Sequence, residues 1–117
     1  MNTDTKKAWC GKRVLRNRMK RTILTGHKNG PSLGYLSETP TFYRTYLESL
    51  FQPGMVWDNY GHGPGKWQID HIKELNEFDL TDQDQIKLAW HWTNLQPLWD
   101  EDHKAKTDLY NSKRLSN

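Results

Sequence analysis

Trp67-Gln68-Ile69-Asp70-His71-Ile72 reads as a short strand that follows a glycine-rich turn region, Gly54 to Lys66. Working outward, Asn94-Leu95-Gln96-Pro97-Leu98 reads as a second short extended or turn piece. Its Pro97 suits an edge and not the middle of a sheet. Between the two runs, Thr81 to Trp90 reads as a helix, with its acids in the first turn and Lys87 later, as the helix dipole favours. Thr81 and Asp84 are placed for a capping box. A last helix is expected over about residues 99–108, followed by a polar tail that frays.

N-terminal to the strand, Thr39-Pro40 has the pattern of a helix start, Thr as cap and Pro in the first turn. Phe42, Tyr43, Tyr46, Leu47, Leu50 and Phe51 then fall on one face, and Pro53-Gly54 ends the helix. Residues 26–36 are rich in Gly, Asn, Pro and Ser and read as a loop. Before them, residues 12–25 carry an apolar stripe of Leu15, Met19 and Ile23 on a helix, with Arg13, Arg16, Lys20 and Arg21 mostly elsewhere. Residues 1–11 are polar and expected to be poorly ordered. Helices with a minimal strand pair predict an α+β fold.

Apolar residues make up only 34% of the 117, and the mean hydropathy is −1.00, so the core must be small. Six Trp, five Tyr and three Phe supply much of its area. Trp67, Trp90, Trp92 and Trp99 are therefore read as packing residues before base-stacking ones. A single cysteine, Cys10, excludes a disulfide framework and any zinc site built on cysteine pairs. No apolar run exceeds three residues, so no membrane span or signal core is expected. An intracellular setting fits this reading. The net charge of +3 is unevenly spread: +8 on residues 1–36 and −5 on residues 37–117. The chain thus divides into a basic arm over 1–36, suited to a polyanion, and a functional unit over 37–117, within one compact domain overall.

Three short segments carry the chemistry. They are Asp70-His71, then Asn94-Leu95-Gln96-Pro97-Leu98, then His103-Lys104-Ala105-Lys106. Each is weak alone. In this order, within about forty residues, they resemble the motif of the HNH endonucleases, the ββα-metal nucleases. Trp57-Asp58-Asn59-Tyr60-Gly61 and the run from Gly34 to Ser37 are similar to the subgroup found in phages and large DNA viruses. The resemblance covers about residues 33–108. It implies a small helical domain built around a ββα-metal motif, with the basic helix as an N-terminal addition. Trp99 and Asp102 stand where many HNH proteins carry their second zinc cysteine pair, so the zinc-free form is implied.

The resemblance also implies roles. His71 is the general base, since an imidazole titrates near working pH. Asp70 and His103 hold one divalent ion, leaving positions open for water and phosphate. Mg²⁺ or Mn²⁺ is expected. His103, where the subgroup often has Asn, also allows Zn²⁺, Ni²⁺ or Co²⁺. Asn94 supports the loop that orients His71. On a regular strand Asp70 and His71 point to opposite faces, so the strand must end or bulge there. Lys106, one turn after His103, is within reach of a phosphate. Lys66 and Lys104 are weaker candidates. Arg13, Arg16, Arg18, Lys20 and Arg21 form a docking helix for double-stranded DNA. His91, between two tryptophans, reads as structural. His62 is placed to approach DNA without a motif partner, and His27 has no role. The implied setting is a bacterial host cytoplasm or a virus-infected cell, and the implied assembly a monomer or homodimer. The competing readings are a catalytically silent DNA-binding module and a structural metal domain for protein contacts.

Overall fold

β1 (Trp67–His71) is buried along its whole length, and β2 (Leu95–Trp99) runs antiparallel to it. The register pairs Trp67 with Trp99, Ile69 with Pro97, Asp70 with Gln96 and His71 with Leu95. Both strands are edges of a two-stranded sheet, so Pro97, lacking an N–H, is tolerated in β2. The computed structural model describes residues 3–26 and 35–115, with side chains over 14–26 and 35–114. The Arg13 side chain, and His27 with the rest of residues 27–34 of the loop predicted over 26–36, lie outside what is described.

Among the described residues the order is α1 (Thr3–Thr25), α2 (Pro40–Ser49), β1, α3 (Gln83–Ala89), β2 and α4 (Asp100–Leu115), an α+β fold. α4 lies against both strands, α1 against α2, and α2 against β2. The core draws on helices and sheet alike. Met19 and Ile23 come from α1, Tyr43 and Leu47 from α2, Trp67 and Ile69 from β1, and Trp90 from the end of α3; all are essentially unexposed. Trp67 sits at its centre, in edge contact with Phe51, Trp57 and Tyr60, and its Nε1 donates to the Val56 carbonyl at 2.6 Å. Burying an indole of its size gives about 4–6 kcal/mol of gross hydrophobic stabilisation.

α2 starts as its sequence predicts: Thr39 Oγ1 accepts from the Phe42 N–H at 3.1 Å, and Pro40 occupies the first turn. Four boundaries differ. α2 ends at Ser49 with Leu50 as its C-cap, short of the predicted Pro53-Gly54 stop, so Phe51 lies beyond the helix. α1 begins at Thr3, not at residue 12, and α4 runs to Leu115, past the predicted end and into the tail expected to fray. Asp100, Glu101 and Asp102 in the first turn of α4, with Lys113 and Arg114 in its last, complement the dipole along that length. α3 is capped by Asp82, not Thr81. Asp82 accepts from the Asp84 N–H, while the Thr81 hydroxyl and N–H are both taken by Asp79.

Candidate active site

The strand ends at His71, so Asp70 and His71 both reach the same cleft, of about 240 Å³, between β1, α4 and α1. Asp70 is 2% exposed. Its Oδ2 accepts from Gln96 Nε2 at 2.9 Å, across the strand pair, and from Lys106 Nζ at 2.6 Å. Its Oδ1 faces His103 Nε2 at 3.7 Å. Gln96, to which the motif assigns no role, is thus the cross-strand partner of the carboxylate. The strand register is what sets it opposite Asp70.

His71 packs edge-on against Trp90, with ring centroids 4.3 Å apart. Its Nε2 is buried and has no hydrogen-bond partner. Burial, reinforced by the nearby cations Lys20 and Lys106, pushes its pKa down to about 3. The ring is neutral at every ordinary pH, and an orphaned imidazole nitrogen is an acceptor or a ligand in waiting. Trp90, which sequence marks only as core, forms the wall that sets the ring's plane.

His103 projects from α4 into the same cleft. Its pKa lies below the usual imidazole value because burial outweighs the pull of Asp70, so its nitrogen lone pair is available at neutral pH. Two donors bound to one ion at about 2.1 Å each can lie at most about 4.2 Å apart. The 3.7 Å between Asp70 Oδ1 and His103 Nε2 meets that limit. A hard oxygen and an imidazole nitrogen suit a divalent ion of intermediate softness. Among the described residues no group of three or more His, Cys, Asp or Glu gathers for a metal, so an ion bound here would rest on these two side chains alone.

Lys106 does not reach outward to a phosphate. Its Nζ donates to Asp70, to the His71 carbonyl at 2.6 Å and to the Ile72 carbonyl at 3.4 Å, and lies 3.7 Å from Glu74. It is a counter-ion and brace for the end of β1. Lys20, from α1, lines the cleft with Arg16. Burial and Arg16 hold its pKa down to about 8, against the pull of Asp70. The exposed Arg16 lines this cleft and the one beside it, the exposed Arg21 lines only the latter, and the exposed Arg18 lines neither.

Asn94 lies in the turn that enters β2 and does not line the cleft. Its Oδ1 accepts from the Lys73 N–H at 2.8 Å; its Nδ2 donates to the Lys73 carbonyl at 3.2 Å and to the Ala89 carbonyl at 2.9 Å. Its own carbonyl accepts from the Ile72 N–H at 2.8 Å. It ties the segment leaving His71 to the end of α3, one residue before Trp90. His91 caps the 92–94 turn through Nδ1 and stacks on Trp92, as a structural residue does. His62 acquires a partner that sequence does not show. Its Nδ1 lies 3.5 Å from Asp100, which is 2% exposed and also accepts from the Gly63 N–H at 2.8 Å and pairs with Lys104 at 3.1 Å.

No family model and no solved structure matches the chain. It is 37% identical over 85 residues, 73% of its length, to uncharacterized protein L246 of Acanthamoeba polyphaga mimivirus, covering 36% of that protein. It is 30% identical over 97 residues, 83% of its length, to uncharacterized protein L426 of the same virus, covering 41% of it. The chain therefore spans less than half the length of these curated relatives. Among the described residues no helix is long and apolar enough to cross a membrane.

Proposed function

We propose that the chain is a metal-dependent HNH-type endonuclease that hydrolyses DNA phosphodiester bonds, acting inside a virus-infected cell. The observation that carries this reading is the convergence of Asp70, His71 and His103, from a strand end and a facing helix, on one cleft to which α1 contributes the cations Arg16 and Lys20. Asp70 Oδ1 and His103 Nε2 would hold one divalent ion, Mg²⁺ or Mn²⁺ or a softer relative. Such an ion supplies charge neutralisation at the phosphorus and at the departing oxygen. His71 Nε2 takes the proton of the attacking water as the new P–O bond forms and the bond to the 3′ oxygen breaks. The neutral ring carries the lone pair, but burial holds its pKa at about 3, well below the working-pH range on which the sequence reading of His71 as base relies. Lys106 holds the Asp70 carboxylate and the His71 carbonyl in place, and Lys20 and Arg16 offer positive charge to the phosphate.

A binding module that keeps the fold without cutting is the second reading. Lys106 favours it, because its ammonium already neutralises Asp70. Relaxation of supercoiled plasmid separates the two, measured with several divalent ions, with EDTA, and with His71→Ala. Cleavage that needs an ion and disappears with His71 supports the nuclease. Cleavage that survives EDTA or the substitution refutes the mechanism, and intact plasmid under every ion supports the binding module.

A further inference from the structure

A second cleft, of about 410 Å³, opens beside the first and shares Arg16, Lys20 and His103 with it. One wall is α1, where Arg16 and Lys20, and Asn17 and Arg21, stand one turn apart on adjacent rows. The opposite wall is the turn over residues 60–62, and Gln68 of β1 also lines the cleft. Gln68 is buried; its side-chain amide donates to the Gly61 carbonyl and lies 3.2 Å from His62 Nδ1. Asp100 holds the neighbouring Gly63 N–H, so the turn is fixed against the start of α4. Gly61 and Gly63 adopt φ of 152° and 110°, and this carries the chain around His62 while leaving its side chain 83% exposed. With Nδ1 accepting from the Gln68 side-chain amide, the ring carries its proton on Nε2 and offers it as a donor to a ligand. Arg16, Lys20, Arg21, His62 and His103 line the cleft, and no carboxylate does among the described residues. The first cleft, in contrast, contains Asp70 and Glu74.

From this juxtaposition we infer that the second cleft is a groove for one strand of a nucleic acid. It would grip the phosphodiester next to the one held at Asp70 and His71, between the Arg16 and Arg21 guanidinium groups on one side and His62 on the other. The inference rests on the nuclease reading for what happens in the first cleft, but the groove's chemistry stands on its own: a continuous basic wall fits a polyanion, and an acid-free lining fits consecutive phosphates. It also changes the part played by α1. The helix forms one side of a channel into the site, where its charge alone suggests a docking arm outside the nuclease unit.

The test is binding of the full chain, in EDTA, to a fluorescent single-stranded oligonucleotide and to its duplex, across a salt series. Removing one side chain that neutralises a phosphate of a single strand lowers the salt slope by about 0.7. Arg16→Ala with Arg21→Ala is expected to lower it by about 1.4, and His62→Ala to weaken binding further. Lys87→Ala, on the exposed face of α3, is expected to leave the slope unchanged. These positions are exposed, so folding is retained, and a matching thermal transition checks that. Absent binding, or an unchanged slope, overturns the groove. A reduction seen on duplex alone also overturns it, since α1 would then be an outer docking face. Plasmid relaxation with an unchanged slope refutes the groove and leaves the nuclease standing. Binding through these residues without cleavage under any ion does the reverse.

Discussion

Asn94→Ala is the perturbation that separates holding the site from doing its chemistry. The side chain makes three hydrogen bonds, two to Lys73 and one to the Ala89 carbonyl. Each is worth about 1 kcal/mol net, and the Ala89 bond is part-buried, so its carbonyl has little access to water as a replacement. Lys73 is exposed, which returns part of the loss through solvation. The expected cost is about 2.5 kcal/mol. An unfolding entropy near 2.1 cal/mol/K per residue gives about 0.25 kcal/mol/K for the 117 residues, so Tm should fall by about 10 °C. Scanning calorimetry measures this directly. Asn94→Asp keeps the acceptor for the Lys73 N–H but turns an oxygen toward two carbonyls, so it should cost at least as much. Plasmid relaxation, run well below both transitions, then reads positioning: losing a residue that orients a site residue costs about 10- to 100-fold. A Tm within a degree of wild type refutes the staple. Full activity in a destabilised but folded variant refutes the claim that the staple orients His71.

Three further outcomes are expected. Lys106→Met leaves the buried Asp70 carboxylate without its ammonium and should cost about 2 kcal/mol in urea unfolding, below the full penalty for a buried pair because Lys106 is 30% exposed. Adding Asp70→Asn should recover part of that cost, and strictly additive losses would show that the pair is not coupled. Tyr43→Phe removes the 2.6 Å hydrogen bond donated to the Trp90 carbonyl and should cost about 1–2 kcal/mol, lowering Tm by several degrees; an unchanged transition would mean that α2 does not anchor the end of α3 through this bond. Lys20 has a folded pKa of about 8 against 10.5, so between those values the unfolded chain binds more protons and stability gains with rising pH. Lys20→Met should remove that gain, so the difference in unfolding free energy between variant and wild type should narrow from pH 7.5 to pH 9.5. A constant difference refutes the burial of that ammonium.

How far the sequence speaks depends on the range of the interaction. The strand at Trp67–His71, the cap at Thr39 and the apolar stripe through Met19 and Ile23 are set by neighbours a few residues away, and they stand where the local pattern puts them. α1 and α4 run longer than predicted because their outer turns, over residues 3–11 and 109–115, carry no apolar repeat to announce them. Tyr110, whose hydroxyl donates to Glu77 at 3.0 Å, shows one tertiary contact that supports the extension of α4. Asp79 does not stand out in sequence as a competitor for Thr81, because an acid two residues before a threonine suits a turn as readily as a cap.

The site divides in the same way. A spacing pattern is enough to single out Asp70, His71, Asn94 and His103, yet it does not tell which cations face them. Lys106 and Lys20 are both lysines on polar helices, indistinguishable in sequence from solvated ones. What separates them is the direction from which each helix meets β1. α4 lies along both strands and turns Lys106 inward onto Asp70, where it braces the end of the strand. α1 reaches the same cleft from the other side, and Lys20 sits there half-buried with Arg16. The inward ammonium satisfies the carboxylate, and the second leaves positive charge for a ligand. Without α1 the cleft would keep Asp70 and Glu74 with Lys106 as their one counter-ion, so the docking of α1, with Met19 and Ile23 sealed in the core, decides whether the cleft can attract an anion at all.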